Sequence, residues 1–213
     1  MSALRARGLT QRFGSKRVLG PIDIEMEAGE RLALLGDNGA GKTTLLRVLA
    51  TLSRPAAGEL QLFGVDALAR RERVRPRIGY LGHRSGLYPH LSARQNLEFF
   101  ATLYDLEPAR ARSALAEVGL EDVADRPLSE LSRGMEQRLG LARSLLHDPE
   151  LVILDEPDAS LDSGGRELLD RLLGGRTAVV ASHDRALAQS LCGRALNLRA
   201  GRASSDPALE MLG

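Results

Sequence analysis

The sequence predicts an α/β fold, and three observations carry the prediction. A short apolar run closed by glycine, Arg31-Leu32-Ala33-Leu34-Leu35-Gly36, reads as a buried strand of a parallel sheet. Two further runs of the same kind follow far downstream, Leu151-Val152-Ile153-Leu154 and Thr177 to Ala181. Segments with helical spacing stand beside them: Leu45, Leu46, Val48 and Leu49, then Leu139, Ala142 and Leu145, then Leu168 and Leu172. Buried strands alternating with amphipathic helices are the pattern of a sheet covered by helices on its faces.

Taken in order, the first thirty residues lack helical spacing. Ala6 to Phe13 and Ile22-Asp23-Ile24-Glu25-Met26 alternate apolar with polar, as half-buried antiparallel strands do, and Leu60-Gln61-Leu62 adds another. An antiparallel β-layer over 1–30 and 56–75 is therefore expected beside the parallel core. The helix starting near Thr43 is expected to run out before Pro55. Ile78-Gly79-Tyr80-Leu81 reads as a further core strand. Ser92-Ala93-Arg94-Gln95 then has capping-box spacing, with Leu97, Phe100 and Leu103 on one helical face. A second helix is expected from Pro108 to Gly119, carrying Ala111, Leu115 and Val118 inward, so that 84–134 forms an inserted helical subdomain. The last dozen residues read as a tail.

Composition narrows the function classes. The 213 residues suit one domain with an insertion, and exclude a transporter fused to its own membrane spans. A net charge of +1 argues against a strongly electrostatic nucleic-acid binder, and no nucleic-acid partner is expected. The single cysteine, Cys192, forms no internal disulfide and reads as inert packing in a reducing compartment. No apolar run reaches the roughly 18 residues of a membrane span, so the expected place is the cytoplasm or its membrane face. Of 29 basic residues only Lys16 and Lys42 are lysine.

Lys42 lies in the segment that carries the chemistry. Gly36-Asp37-Asn38-Gly39-Ala40-Gly41-Lys42-Thr43 fits the phosphate-binding P-loop pattern, with a strand before it and a helix after it. Its glycines let backbone N–H groups turn inward toward phosphate oxygens, and the helix N-terminus, which includes Thr44, adds its positive dipole end. The pattern assigns Lys42 to the β- and γ-phosphates and Thr43 to Mg²⁺. A compact ammonium suits so tight a loop better than a planar guanidinium does. The run Leu151 to Leu154 delivers Asp155 to the sheet edge where ligands bind, placed to hold Mg²⁺. Glu156, one residue on, is placed to act as general base toward an attacking water.

Between these segments stands Leu131-Ser132-Arg133-Gly134-Met135-Glu136-Gln137-Arg138. With it the chain resembles the ATP-binding subunit of an ABC transporter. The family signature is usually Leu-Ser-Gly-Gly-Gln, from which Arg133 and Met135 depart while Ser132 and Gly134 remain. The resemblance spans nearly the whole chain. It implies a P-loop NTPase with a RecA-like parallel sheet, in a single ATP-binding domain over 1–213, using ATP and Mg²⁺ and hydrolysing ATP to drive transport.

Residue by residue, the resemblance implies that Phe13 stacks on adenine and that Ser132 and Gly134 meet the γ-phosphate held by a partner subunit. Asp162, in Ser160-Leu161-Asp162, corresponds to a loop that contacts the partner's phosphate site. His183, after the strand ending at Ala181, corresponds to the switch histidine at the γ-phosphate. His83 stands where most of the family has a glutamine that ligates Mg²⁺ and the attacking water. A neutral imidazole nitrogen can take that place but titrates near neutral pH. The implied partners are an ATP-dependent second copy or homologous ATPase, and integral membrane subunits on separate chains. The stretch Gly79 to Ser92, with Gly82-His83 for the usual Phe-Gln, is similar to the haem-exporter type that serves cytochrome c biogenesis. The helix after the signature is equally similar to those of drug, antibiotic or lipid exporters.

Rival readings fare worse. ABC ATPases of ribosomes or DNA resemble tandem fusions or carry long coiled-coil insertions, and this chain has no heptad run. A GTPase needs Asn-Lys-x-Asp, which a chain with lysine only at 16 and 42 lacks. A kinase leaves Ser132 to Gly134 and His183 unexplained. A non-catalytic module is expected to lose Lys42 or Glu156, and both are present.

Overall fold

The computed structural model describes residues 2–157 and 163–204. Two sheets organise it. Strands β1 (Ser2–Phe13), β2 (Lys16–Glu27), β4 (Ala57–Leu62) and β5 (Val65–Asp66) form an antiparallel sheet in the order β2-β1-β4-β5. Strands β3 (Arg31–Leu35), β6 (Ile78–Leu81), β7 (Leu151–Asp155), β8 (Thr177–Ala181), β9 (Arg194–Arg199) and β10 (Arg202–Ser204) form the second, in the order β10-β9-β3-β8-β7-β6. All pairs in it are parallel except the β9–β10 hairpin.

The buried strands segregate their side chains with a period of two, as a sheet covered on both faces must. Leu32, Leu34, Leu151, Ile153 and Val179 point to one side, where helix α1 (Lys42–Leu49) and the antiparallel sheet close over them. Ala33, Leu35, Val152, Leu154, Ala178 and Val180 point to the other. There they meet Leu139, Leu145, Leu168 and Leu187 from helices α5 (Arg133–Leu145), α6 (Ser163–Leu173) and α7 (Arg185–Leu191).

The inserted region is helical as expected. Helix α3 (Ala93–Leu103) opens on a complete capping box, Ser92 accepting from Gln95 N while Gln95 accepts from Ser92 N. Helix α4 (Ala109–Glu117) starts one residue after Pro108. Asn96, fully buried, holds the preceding loop by accepting from Tyr88 N at 2.7 Å and donating to the carbonyls of Tyr88, Leu91 and Ser92. This anchor left no trace in the hydrophobic pattern, because a polar residue on the inner face of a helix looks like a fault until its partners are known.

Three expectations need correction. The antiparallel layer ends at Asp66, and helix α2 (Arg71–Val74) occupies the stretch before residue 75. Leu103 is 64% exposed, on the outer side of the last turn of α3, while Ala101 in the same turn is buried. The tail assignment is wrong for Arg202–Ser204, which pair with β9 as an antiparallel edge. The core sheet is therefore mixed at one edge. Cys192 is buried, and burial pushes its thiol up to about 12, which leaves it without thiolate character at neutral pH.

Candidate nucleotide site

The glycine-rich loop leaves the C-terminal end of β3 and enters α1 directly. Gly36, at φ 148°, and Gly41, at φ 105°, take backbone conformations that side chains disfavour. A Cβ on Gly36 would overlap the carbonyl of Leu198 on β9, and one on Gly41 would press on Leu19 of β2. The β9–β10 turn completes the brace: Gly201 N donates to Ala40 O at 2.9 Å, and Gly20 N donates to Gly201 O at 2.8 Å. The loop is thus clamped between two strands that carry no recognisable motif.

Inside the loop Lys42 is 5% exposed, and its ammonium donates to Gly36 O at 2.6 Å and Asp37 O at 3.3 Å. Around it opens a cleft of about 280 Å³ lined by Asp37, Asn38, Gly39, Gly41, Lys42, Thr43, Thr44, Val18 and Glu156. Asp155 ends β7 at the same edge and is buried. Burial raises its pKa; a hydrogen bond with the Thr43 side chain and the charges of Lys42 and His83 oppose that rise, while Glu156 adds to it. One carboxylate oxygen, Oδ2, is buried with no hydrogen-bond partner.

Glu156 sits at φ 52°, in the left-handed region that non-glycine residues seldom enter, and its N–H donates to Ala181 O at 2.9 Å. That conformation turns its side chain back over the sheet edge toward His183, whose Nδ1 lies 4.0 Å from Glu156 Oε1. A second cleft, about 370 Å³, extends past this pair to Arg185, Asn197 and Arg199. His83 is exposed in the loop after β6, close enough to Asp155 for its charge to act there. The loop, Lys42, Asp155, Glu156, His83 and His183 therefore converge on the C-terminal ends of β3, β7, β6 and β8, where ligands bind in such sheets.

The remaining predicted residues stand apart. Ser132 is exposed and caps α5, accepting from Met135 N at 3.2 Å, with Gly134 in the first turn. Neither borders either cleft. Phe13 is 58% exposed at the tip of the β1–β2 hairpin, with Lys16 opposite it in register. Its exposure disposes of a core-packing role. Ser160, Leu161 and Asp162 lie outside the described residues.

The start of α5 is nonetheless tied to the converging groups. Ser85 Oγ, two residues beyond His83, hydrogen-bonds Glu136 Oε1 at 2.6 Å, and Gln137 Nε2 donates to Pro157 O at 3.1 Å. Further along, Arg143 Nη2 donates to Tyr80 O at 2.7 Å. At Gly79 of β6 a Cβ would overlap the carbonyl of Ser144, so the helix seats directly on the strand backbone.

A family model described as ABC transporter matches residues 19–159. The chain belongs to the ABC transporter family. Within that family it is 42% identical to the daunorubicin resistance ATP-binding protein DrrA3 of Streptomyces coeruleorubidus, over 84% of this chain and 59% of that protein. It is 38% identical to the lipoprotein-releasing system ATP-binding protein LolD 1 of Caulobacter vibrioides, over 96% of each. It is 35% identical to the Nod factor export ATP-binding protein I of Burkholderia orbicola, over 95% of this chain and 69% of that one. Among solved structures, the dimeric post-hydrolysis state of the ATP-binding cassette MJ0796 bound to ADP and Pi superposes with a TM-score of 0.88 at 26% identity, over 99% of each chain. The architecture is accordingly that of an ABC ATPase domain. DrrA3 is the longer protein, and this chain spans 59% of its length.

Proposed function

We propose that this chain hydrolyses ATP to drive an ABC exporter whose membrane-spanning subunits are separate chains, and that it does so at the cytoplasmic membrane face. Among the described residues no helix is long and apolar enough to cross a membrane. The convergence of Lys42, Asp155, Glu156 and His183 on one sheet edge carries the reading.

Each group has a task fitted to its position. The P-loop N–H groups and Lys42 hold the β- and γ-phosphates, and Phe13 offers an exposed ring to adenine. Thr43 and Asp155, with His83 beside them, fit a Mg²⁺ ion: a buried carboxylate keeps one oxygen unpartnered, and hard cations take oxygen ligands. Bound there, such an ion would neutralise phosphate charge. Glu156 accepts a proton from water as the water oxygen bonds to the γ-phosphorus and the bond to the bridging oxygen breaks, giving ADP and inorganic phosphate. His183, beside Glu156, orients that water and the γ-phosphate.

Ser132 and Gly134 border neither cleft of their own chain, which supports a head-to-tail pair in which they complete the site of a second copy, together with Asp162. Contacts made only when ATP bridges two subunits bias the pair toward closure. The helical region over 84–134 then passes the movement to the membrane subunits. In Glu156→Gln we expect turnover to fall by a hundredfold or more, about 3 kcal/mol of barrier, while ATP drives a stable dimer visible by size-exclusion chromatography. Wild-type turnover in that variant would remove Glu156 from the mechanism.

The relatives named above concern drug resistance, lipoprotein release and Nod factor export, and they favour an exporter of that broad kind. Haem export in cytochrome c biogenesis is a second reading, and its support is Gly82-His83 beside Asp155. Co-purification of the membrane subunits separates the two. His83→Gln retains hydrolysis if His83 fills the glutamine's place.

A further inference from the structure

The cleft beyond Glu156 and His183 has no task in the mechanism just given. It shares Asp37, Asn38 and Glu156 with the P-loop cleft, so the two spaces adjoin beside Glu156, where the reading above puts the γ-phosphate. Its lining also includes Arg185, the first residue of α7, and Arg199, the last residue of β9. Neither side chain makes a hydrogen bond or an ion pair among the described residues. Their neighbours differ in this respect. Arg166 is bound to Asp184 at 2.5 Å, and Arg194 to Glu30 at 2.8 Å. Asn197, 6% exposed, lines the same cleft.

We propose that Arg185 and Arg199 form a subsite for the inorganic phosphate released by hydrolysis, receiving it as it leaves the space between Glu156 and His183. This inference rests on the ATPase reading. Cleavage leaves a phosphate dianion beside Glu156, which repels it once the proton taken from water has passed to solvent. Two guanidinium groups without side-chain partners in the same cleft supply the opposite field, and their planar forks match phosphate oxygens. The ADP phosphates remain with Lys42 and α1, on the other side of the loop. Product separation thus proceeds in two directions from a single site.

The test reads phosphate binding without turnover. Inorganic phosphate is titrated calorimetrically into the ADP-loaded full chain, for wild type and for Arg185→Ala/Arg199→Ala. We expect the dissociation constant for phosphate to rise about tenfold in the double variant, with ADP affinity changed by less than about twofold. The lysine pair, Arg185→Lys/Arg199→Lys, should fall between, since charge is kept and the fork is lost. Equal phosphate affinity in wild type and the alanine pair overturns the subsite. So does the absence of phosphate binding in wild type, or a parallel loss of ADP affinity. A cleft whose variants shift only the monomer–dimer balance belongs to the subunit contact, which also overturns it. Turnover that depends on Glu156 but no arginine-dependent phosphate binding removes the subsite alone; arginine-dependent phosphate binding without Glu156-dependent turnover removes the ATPase reading, and with it the role of the cleft in product release.

Discussion

The P-loop half and the signature half of this chain are built on opposite principles. Lys42 is buried and bonded to the loop that holds it, Asp155 is buried against Thr43, and the loop is braced by β2, by β9 and by the β9–β10 turn. That half is preorganised. Ser132, by contrast, is exposed and satisfies only its own helix, and Arg133 beside it is exposed too. What makes the second half specific is its attachment: α5 sits on the backbone of β6 at Gly79, and its first two turns hold the loop after His83 through Glu136 and the segment after Glu156 through Gln137. In the proposed function one half holds the nucleotide and the other half reports on it. If the signature reaches into a second copy as proposed, these bonds connect it to Glu156 and the loop of His83 in its own chain.

The sharpest way to break this comparison is to disable the halves separately. Lys42→Ala and Ser132→Ala should each reduce ATP turnover by about a hundredfold, but only Lys42→Ala should abolish nucleotide binding to the isolated chain. Mixed in equal amounts, the two variants should recover about a quarter of wild-type turnover. Half of random pairs are heterodimers, and each carries one intact composite site. No recovery on mixing would place both halves in one chain. A smaller effect tests the brace. Gly201→Ala, where a Cβ would overlap the Val18 carbonyl at φ 76°, should cost about 1–3 kcal/mol in urea unfolding and raise the KM for ATP. The smallest concerns the helical region alone: Ser92→Ala removes the cap of α3 and should cost about 1 kcal/mol, leaving ATP binding unchanged.

The sequence disclosed these two halves unequally well. Loop glycines, Lys42 and the apolar strands delivering Asp155 are legible because each chemical demand restricts the residue types allowed. The capping box at Ser92 is legible for the same reason. Strand β9 is not, since Arg194-Ala-Leu-Asn-Leu-Arg199 lacks β-branched residues and is fixed by pairing with β3 rather than by its own preference. Arg185 and Arg199 belong to no motif, and only the fold places them in one cleft. The Ser85–Glu136 bond joins residues whose proximity depends on how α5 packs. Lys16 is now located, opposite Phe13 on an exposed hairpin tip. The boundary near residue 66 was missed because Arg70 to Arg77 show neither period.

Strand β3 ends at the P-loop and belongs to the early part of the chain, yet Ala33 pairs with Val180 on one side and with Ala195 on the other. Its only sheet neighbours, β8 and β9, are among the last strands in the sequence. A ribosome therefore synthesises the ATP-binding loop long before the edges that fix it. Throughout that interval the loop lacks its frame, and such non-local pairing is the slow kind of assembly. Nascent chains should acquire nucleotide affinity in one late step, as β9 emerges, so that a truncated product never competes for ATP.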